Sequence, residues 1–208
     1  MTRWSFDAAL RQRIADNLAD FSRQPADRTG LKHAAIAITI VARDDGEAAF
    51  VLTRRASDLR NHGGQMALPG GRIDPGETPV TAALRELREE VNALVPPSGV
   101  LGLLDDYPTR SGYLITPVVV WAHNEVELIP NPAEVASIQR VPLSELERAD
   151  SPKFSAIPES DRPMIQLPIG DDHLHAPSAA MVYQFREAGL HGRDTRVDHL
   201  EQPVWAWR

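Results

Sequence analysis

The sequence predicts an α/β or α+β fold, a β-sheet flanked by helices. Apolar runs at residues 34–42 and 113–121 read as buried strands, residues 79–91 carry the pattern of an amphipathic helix, and strands and helices are mixed along the chain. A length of 208 residues suits one domain with extensions or two small ones, at a soft prior of roughly 150 residues per domain. Repeat arrays and large multidomain machines are thereby excluded.

Each element has its own signal. Residues 6–21 place Phe6, Leu10, Ile14, Leu18 and Phe21 at helical spacing with charged residues between them, which predicts an N-terminal helix. A polar stretch holding Pro25 and Gly30 leads to the strand at 34–42. Asp44-Asp45-Gly46 is a hairpin turn, and residues 49–53 return as the next strand. Thr78 is a natural N-cap, and Pro79 stands at the first helical position, where a missing N–H has no consequence. Leu84, Leu87 and Val91 give that helix an apolar face. Further strands are expected at 100–104 and 113–121. Beyond them, Pro152, Pro158, Pro163 and Pro168 indicate connecting segments, a helix is expected over 178–188, and residues 202–207 are expected to form a terminal strand.

Composition narrows the chemistry. Hydrophobic residues make up 42% and charged residues 25%, which fits neither a disordered chain nor a coiled coil. Cysteine is absent, so disulfides, thiolate nucleophiles, iron–sulfur clusters and cysteine-bound zinc are excluded, and any metal must rest on oxygen or imidazole. The 22 Lys and Arg against 29 Asp and Glu give a net charge of -7, which disfavours broad electrostatic binding of nucleic acid. No apolar run approaches the ~20 residues that span a bilayer, and no apolar secretion core stands at the start. The expectation is a cytoplasmic protein whose partners are neither nucleic acid nor membrane, with assembly as a homodimer left open.

The informative segment runs from Gly70 to Val91. Glu86, Glu89 and Glu90 stand at i, i+3 and i+4, so their carboxylates project from one helix face toward a common point. Two readings are open at this stage. Mg²⁺ or Mn²⁺ would offset the crowded negative charge, because hard divalent ions take oxygen ligands and bridge substrate phosphates. Alternatively, Arg85 pairs with Glu89 four residues on, as an ordinary solvated face. Gly70 and Gly71 favour the first reading, since small residues let a main-chain carbonyl approach a metal beside the helix. The fixed residues spell G-x(5)-E-x(7)-R-E-U-x-E-E from Gly71 through Glu77 to Glu90, where U is aliphatic. With each residue at roughly 5–10% frequency, chance occurrence in one chain is below about one in ten thousand.

These residues resemble the Nudix box of the Nudix hydrolases. Here Asn92 and Ala93 replace the Gly and aliphatic residue that usually close the box. The resemblance implies an α/β/α sandwich with a mixed sheet and a single Nudix domain over 1–208, with the N-terminal helix at about 6–21 and a C-terminal extension at about 152–208. It implies Mg²⁺ or Mn²⁺ held by Glu86, Glu89, Glu90 and the carbonyl of Gly70, with Arg85 and Glu77 supporting the site from behind. Upstream, residues 51–71 are similar to the additional motif of the coenzyme A diphosphatase branch, with Val51 and Leu68 standing for its Leu and Phe. That similarity implies a nucleotide-diphosphate substrate, coenzyme A or an acyl-coenzyme A. Arg54, Arg55 and Arg60 are its candidate phosphate ligands, beside Gly71, while pairing of these arginines with Asp58 or the box glutamates is the alternative. Glu134 is a candidate accessory base or ligand, and His62 a hydrogen-bonding loop residue. Other nucleoside diphosphate derivatives, such as ADP-ribose or a dinucleotide, are the runner-up substrates. A non-catalytic nucleotide-sensing module is the competing class.

Overall fold

The first predicted strand becomes β1 (Lys32–Ala42), and the alternation of its side chains sets the layers of the molecule. In the computed structural model, which describes residues 3–26, 29–56, 64–123 and 126–207, Ile36, Ile38 and Ile40 enter one apolar core. Ala35, Ala37 and Val41 enter a second core on the opposite face. Both faces are covered, so the strand reads as a continuous apolar run rather than as alternation. Small residues on the second face admit α2 (Pro79–Val91), which packs Ala82, Ala83, Leu87 and Val91 there with Val118 and Val120.

An eight-stranded mixed sheet is built around β1. β2 (Ala48–Arg55) is antiparallel to it, across the turn at Gly46, whose φ of 77° suits glycine. On β1's other side, β7 (Tyr113–Trp121) runs parallel. β3 (Met66–Ala67) and β8 (Val135–Pro142) add to β2, β4 (Gly70–Arg72) pairs with the first part of β1, and β5 (Val100–Leu103) and β6 (Tyr107–Pro108) pair with β7. The face opposite α2 is covered by α1 (Ala8–Asp20), through Leu10, Ile14 and Leu18, and by α3 (Ser178–Gln184). Asp7 caps α1 by accepting the Leu10 N–H at 2.8 Å, so Phe6 stays outside the helix and stacks on Trp121 with ring centres 4.2 Å apart. The expected α/β/α arrangement is therefore present.

The C-terminal third departs from expectation. Where prolines suggested connections, a three-stranded antiparallel sheet forms from β9 (Lys153–Ile157), β10 (Ser160–Ile169) and β11 (Asp172–His175), in the order β11-β10-β9. Pro163 falls within the irregular stretch of β10 between the pairs made by Ser160 and Met164, the kind of place where a strand tolerates a residue without an N–H. The helix expected over 178–188 changes character instead of stopping: after Gln184 it continues as a wider π-helical turn, Phe185–Leu190. The terminal strand does not form. Residues Val204–Trp207 make one 3-10 turn, in which the Pro203 carbonyl accepts the Ala206 N–H at 2.8 Å. The fixed φ of proline favours such a turn over extension of a sheet.

One buried acid ties this tail to the main sheet. The Glu201 side chain is only 2% exposed and accepts from Arg110 Nη2 at 2.5 Å, Ser160 Oγ at 2.8 Å and the Gln202 N–H at 3.0 Å. Burial alone would raise its pKa, but these donors outweigh burial and bring it from 4.5 down to about 2. A depressed carboxylate contributes stability that is complete above the unfolded value and is lost as pH falls through the folded one. Glu201→Gln is therefore expected to cost about 2–3 kcal/mol at pH 7 in urea unfolding, with the gap from wild type closing between pH 4.5 and about 2. A gap that persists to the acid limit would show that packing, not charge, is what the substitution removes. No described helix is long and apolar enough to cross a membrane.

Candidate active site

Local chemistry fixes the carboxylate helix before any tertiary contact does. Thr78 Oγ1 accepts the Thr81 N–H at 3.2 Å, Thr81 Oγ1 accepts the Thr78 N–H at 2.8 Å, and Pro79 fills the first turn. At the other end Asn92 adopts φ 57°, the left-handed conformation that asparagine tolerates better than most residues, and its N–H bonds the Arg88 carbonyl at 3.1 Å. β4 then lies against β1 with Gly70 opposite Ile36 and Gly71 opposite Ala35, which brings both glycines beside α2. Neither position has room for a side chain. A Cβ on Gly70 would stand 2.4 Å from the Ala35 carbonyl oxygen, and one on Gly71 would stand 2.3 Å from Glu86 Oε1.

Arg85 is the hub behind the helix. Its Nε and Nη2 donate to the two Glu77 oxygens at 2.9 and 3.1 Å, its Nη1 to Glu86 at 2.8 Å and Glu89 at 3.0 Å, and its Nη2 also to the Arg72 carbonyl at 3.0 Å. The Glu77 bond, foremost, raises the Arg85 pKa further. Glu77 is lowered by the same bond and by the N–H of Asp74. The pairing of Arg85 with Glu77 and its ion pair with Glu89 coexist in one network.

The remaining carboxylates are held under strain of charge. Glu90 is only 3% exposed, and burial, reinforced by the charge of Glu86, pushes its pKa from 4.5 up to about 8. The charges of Arg55 and Glu134 act on it in opposite senses, and the Gly70 N–H reaches its Oε2 at 3.3 Å. Glu86 is likewise raised, first by burial. Among the described residues, no three His, Asp or Glu side chains are grouped as a metal cluster. Glu86 and Glu89 share Nη1 of Arg85, whereas Glu90 faces the Gly70 amide. The donor set nevertheless fits a hard divalent cation, being all oxygen, partly desolvated and mutually repulsive.

A cleft of about 800 Å³ opens against Gly70 and Gly71. The glutamates do not line it, but Glu86 stands directly against Gly71, so cleft and carboxylates share that strand. Cations border it: Lys32, Arg54, Arg55 and Arg72. The far wall comes from the C-terminal segment, including His175 and Trp205, whose rings meet edge-on at 5.3 Å and 86°; Trp205 is 48% exposed. Burial, with the charge of His173, lowers the His175 pKa.

The candidate phosphate ligands have different placements. Arg55 lines the cleft, and its charge reaches Glu90. Arg54 also lines it, yet donates to Asp172 at 2.8 Å and to the Gly64 carbonyl at 2.7 Å, which straps β11 to β2. The Arg54 bond, foremost, lowers the Asp172 pKa. Arg60, with Asp58 and His62, lies outside the described residues. Sequence reasoning missed Lys32, Arg72, Asp172 and His175. Arg72 alone carried a local signal, its place directly after the paired glycines.

A family model described as "NUDIX domain" matches residues 31–165. The "Uncharacterized Nudix hydrolase NudL" of Photorhabdus laumondii subsp. laumondii is 44% identical over 115 residues, covering 55% of this chain and 60% of that protein. The protein of the same name from Yersinia enterocolitica is 40% identical over 117 residues, covering 56% and 59%. The aligned part of this chain thus spans less than two thirds of these relatives. Among solved structures, a MutT/nudix family protein from Enterococcus faecalis superposes with a TM-score of 0.55 at 16% identity over 86% of this chain and 72% of that one. A NUDIX hydrolase from Nitrosomonas europaea gives 0.53 at 19% identity over 80% and 76%.

Proposed function

The chain belongs to the NUDIX domain family, and from that premise we propose that it hydrolyses the diphosphate bond of coenzyme A or an acyl-coenzyme A. The products would be adenosine 3′,5′-bisphosphate and 4′-phosphopantetheine or its acyl form. Water adds to one phosphorus of the P–O–P bridge, and the bridging oxygen leaves with the other phosphate. The observation that carries the reading is the juxtaposition at Gly70 and Gly71, where a cation-bordered cleft meets a carboxylate-rich helix. Positive charge on one side suits the substrate's phosphates; negative charge on the other suits a metal.

Glu86, Glu89, Glu90 and the carbonyl of Gly70 would hold Mg²⁺ or Mn²⁺. Bound there, such ions supply charge neutralisation of the diphosphate and acidification of water. The protein's own contribution is positional. Arg85 keeps Glu86 and Glu89 on one side of the helix, and Glu77 fixes Arg85. Arg55 offers a guanidinium fork to a phosphate, a geometry that favours two parallel bonds. Glu134 would serve as an accessory base or ligand, its charge bearing on both Glu86 and Glu90. Arg54 serves mainly to hold the cleft's C-terminal wall, given its bonds to Asp172 and Gly64.

The test is a substrate panel of coenzyme A, acetyl-coenzyme A, ADP-ribose and a dinucleotide, run with the purified full chain in Mg²⁺ and in Mn²⁺, with products identified by chromatography. Coenzyme A is expected to be cleaved fastest, at its diphosphate, with activity abolished by chelation. Inert coenzyme A beside rapid cleavage of ADP-ribose would overturn the assignment.

A further inference from the structure

Two cations at the cleft rim are unaccounted for by the chemistry above. The parallel register of β1 and β7 sets Lys32 beside Tyr113, while β4 sets Arg72 beside Ala34, two residues further along β1 and on the same face. Lys32 Nζ stands 5.7 Å and Arg72 Cζ 5.6 Å from the centre of the Tyr113 ring. Arg72 Nε and Nη2 donate to the Tyr113 hydroxyl at 3.1 and 2.8 Å, which fixes the guanidinium. Arg54, Arg85 and Arg110 each have a carboxylate partner. Lys32 and Arg72 have none among the described residues, in a chain whose net charge is -7. Two like charges against one ring, with no carboxylate partner among the described residues, repel each other, and an anion between them removes that cost.

The surroundings complete a receptor for such an anion. Ser111 and Thr109 line the same cleft, with their hydroxyls 3.1 Å apart, and Thr109 accepts the Tyr113 N–H at 2.9 Å, which holds this loop beside the cations. Arg72 follows Gly71 directly, and its carbonyl is bound by Arg85 at 3.0 Å. The position of the rim cations is thereby locked to the carboxylate helix, so the separation between the two works as a ruler along the substrate.

Resting on the proposed diphosphatase reading, we propose that Lys32, Arg72 and the Ser111 hydroxyl form a second anion subsite, which takes a phosphomonoester of the substrate lying apart from the scissile diphosphate. Such a subsite selects substrates that carry an additional terminal phosphate over otherwise identical ones that lack it. Its positive members contact the substrate without touching the reacting atoms, so they govern affinity and selectivity rather than the chemical step.

The test is calorimetric titration of the full chain, without added metal, with adenosine 3′,5′-bisphosphate and with AMP. The ligands differ by one phosphomonoester. Charge-assisted bonds of this kind predict about 10- to 100-fold tighter binding of the bisphosphate by the wild type. Lys32→Gln and Arg72→Gln, both at exposed positions, are each expected to remove most of that preference while AMP affinity stays within about twofold. Equal affinity of the wild type for both ligands would overturn the subsite, and so would an equal loss on both ligands in the variants. The substrate panel fails independently: if coenzyme A is not cleaved but the bisphosphate preference exists and vanishes in both variants, the subsite stands and the substrate assignment falls.

Discussion

Glu86→Gln and Glu89→Gln are each expected to lower turnover by more than about 100-fold, the upper figure for losing a partner one shell removed from a metal. Glutamine keeps the shape and one oxygen but not the charge. If these side chains only balanced Arg85, the loss would be mild, because Glu77 retains two bonds to that guanidinium at 2.9 and 3.1 Å. Near-normal rates in both variants would reject the metal assignment. Stability supplies an independent readout at the neighbouring Glu90. Its pKa of about 8 lies above the ordinary 4.5, so between these values the folded protein retains a proton that the unfolded chain has released. Metal-free stability must then fall as pH rises through that window. Glu90→Gln is expected to abolish this fall and raise the metal-free Tm at pH 8, and to lose activity. A variant that lost both stability and activity would mark Glu90 as a structural acid.

The second large effect separates two adjacent glycines. Gly71→Ala places a methyl group 2.3 Å from Glu86 Oε1, the tip of a side chain that can swing away. The fold is expected to survive with a cost below about 1.5 kcal/mol, while displacement of the carboxylate lowers turnover on the order of 100-fold, as misplacements of about 1 Å do. Gly70→Ala behaves differently. Its methyl group would meet backbone, at 2.4 Å from the Ala35 oxygen and 2.6 Å from the Ile36 Cα, and backbone within a central strand yields only by distorting the sheet. A loss of about 3 kcal/mol or more is expected there, read by urea unfolding. Equal stability losses in the two variants would contradict the geometry at Gly71.

The sequence also made legible why these positions matter. Thr78 and Pro79 announce the start of α2, and the structure uses Thr78 as its N-cap with Pro79 in the first turn, while Asn92 closes the helix in the left-handed conformation. Val204 to Trp207 illustrate the limit. An apolar, aromatic-rich tail is compatible with a strand, yet Pro203 redirects it into a 3-10 turn that places Trp205 on the cleft wall. Prolines misled in the other direction at β10, because an irregular register accommodates Pro163. Turn and strand signals of this kind are weak alone and are decided by the neighbours a segment finds.

What the chain determined by itself is local: the carboxylate spacing on α2, its caps, the small residues ahead of it and the apolar period of β1. Those depend on contacts within a few residues, which a linear pattern records. Only tertiary structure decided which charges meet. Arg54 is joined to Asp172, 118 residues away, and Lys32, Arg72 and Tyr113 come together from three strands of one sheet. Such pairings arise when strand register and the packing of the C-terminal segment close long loops. No spacing along the sequence encodes them, because each candidate partner is chemically equivalent until the sheet has formed.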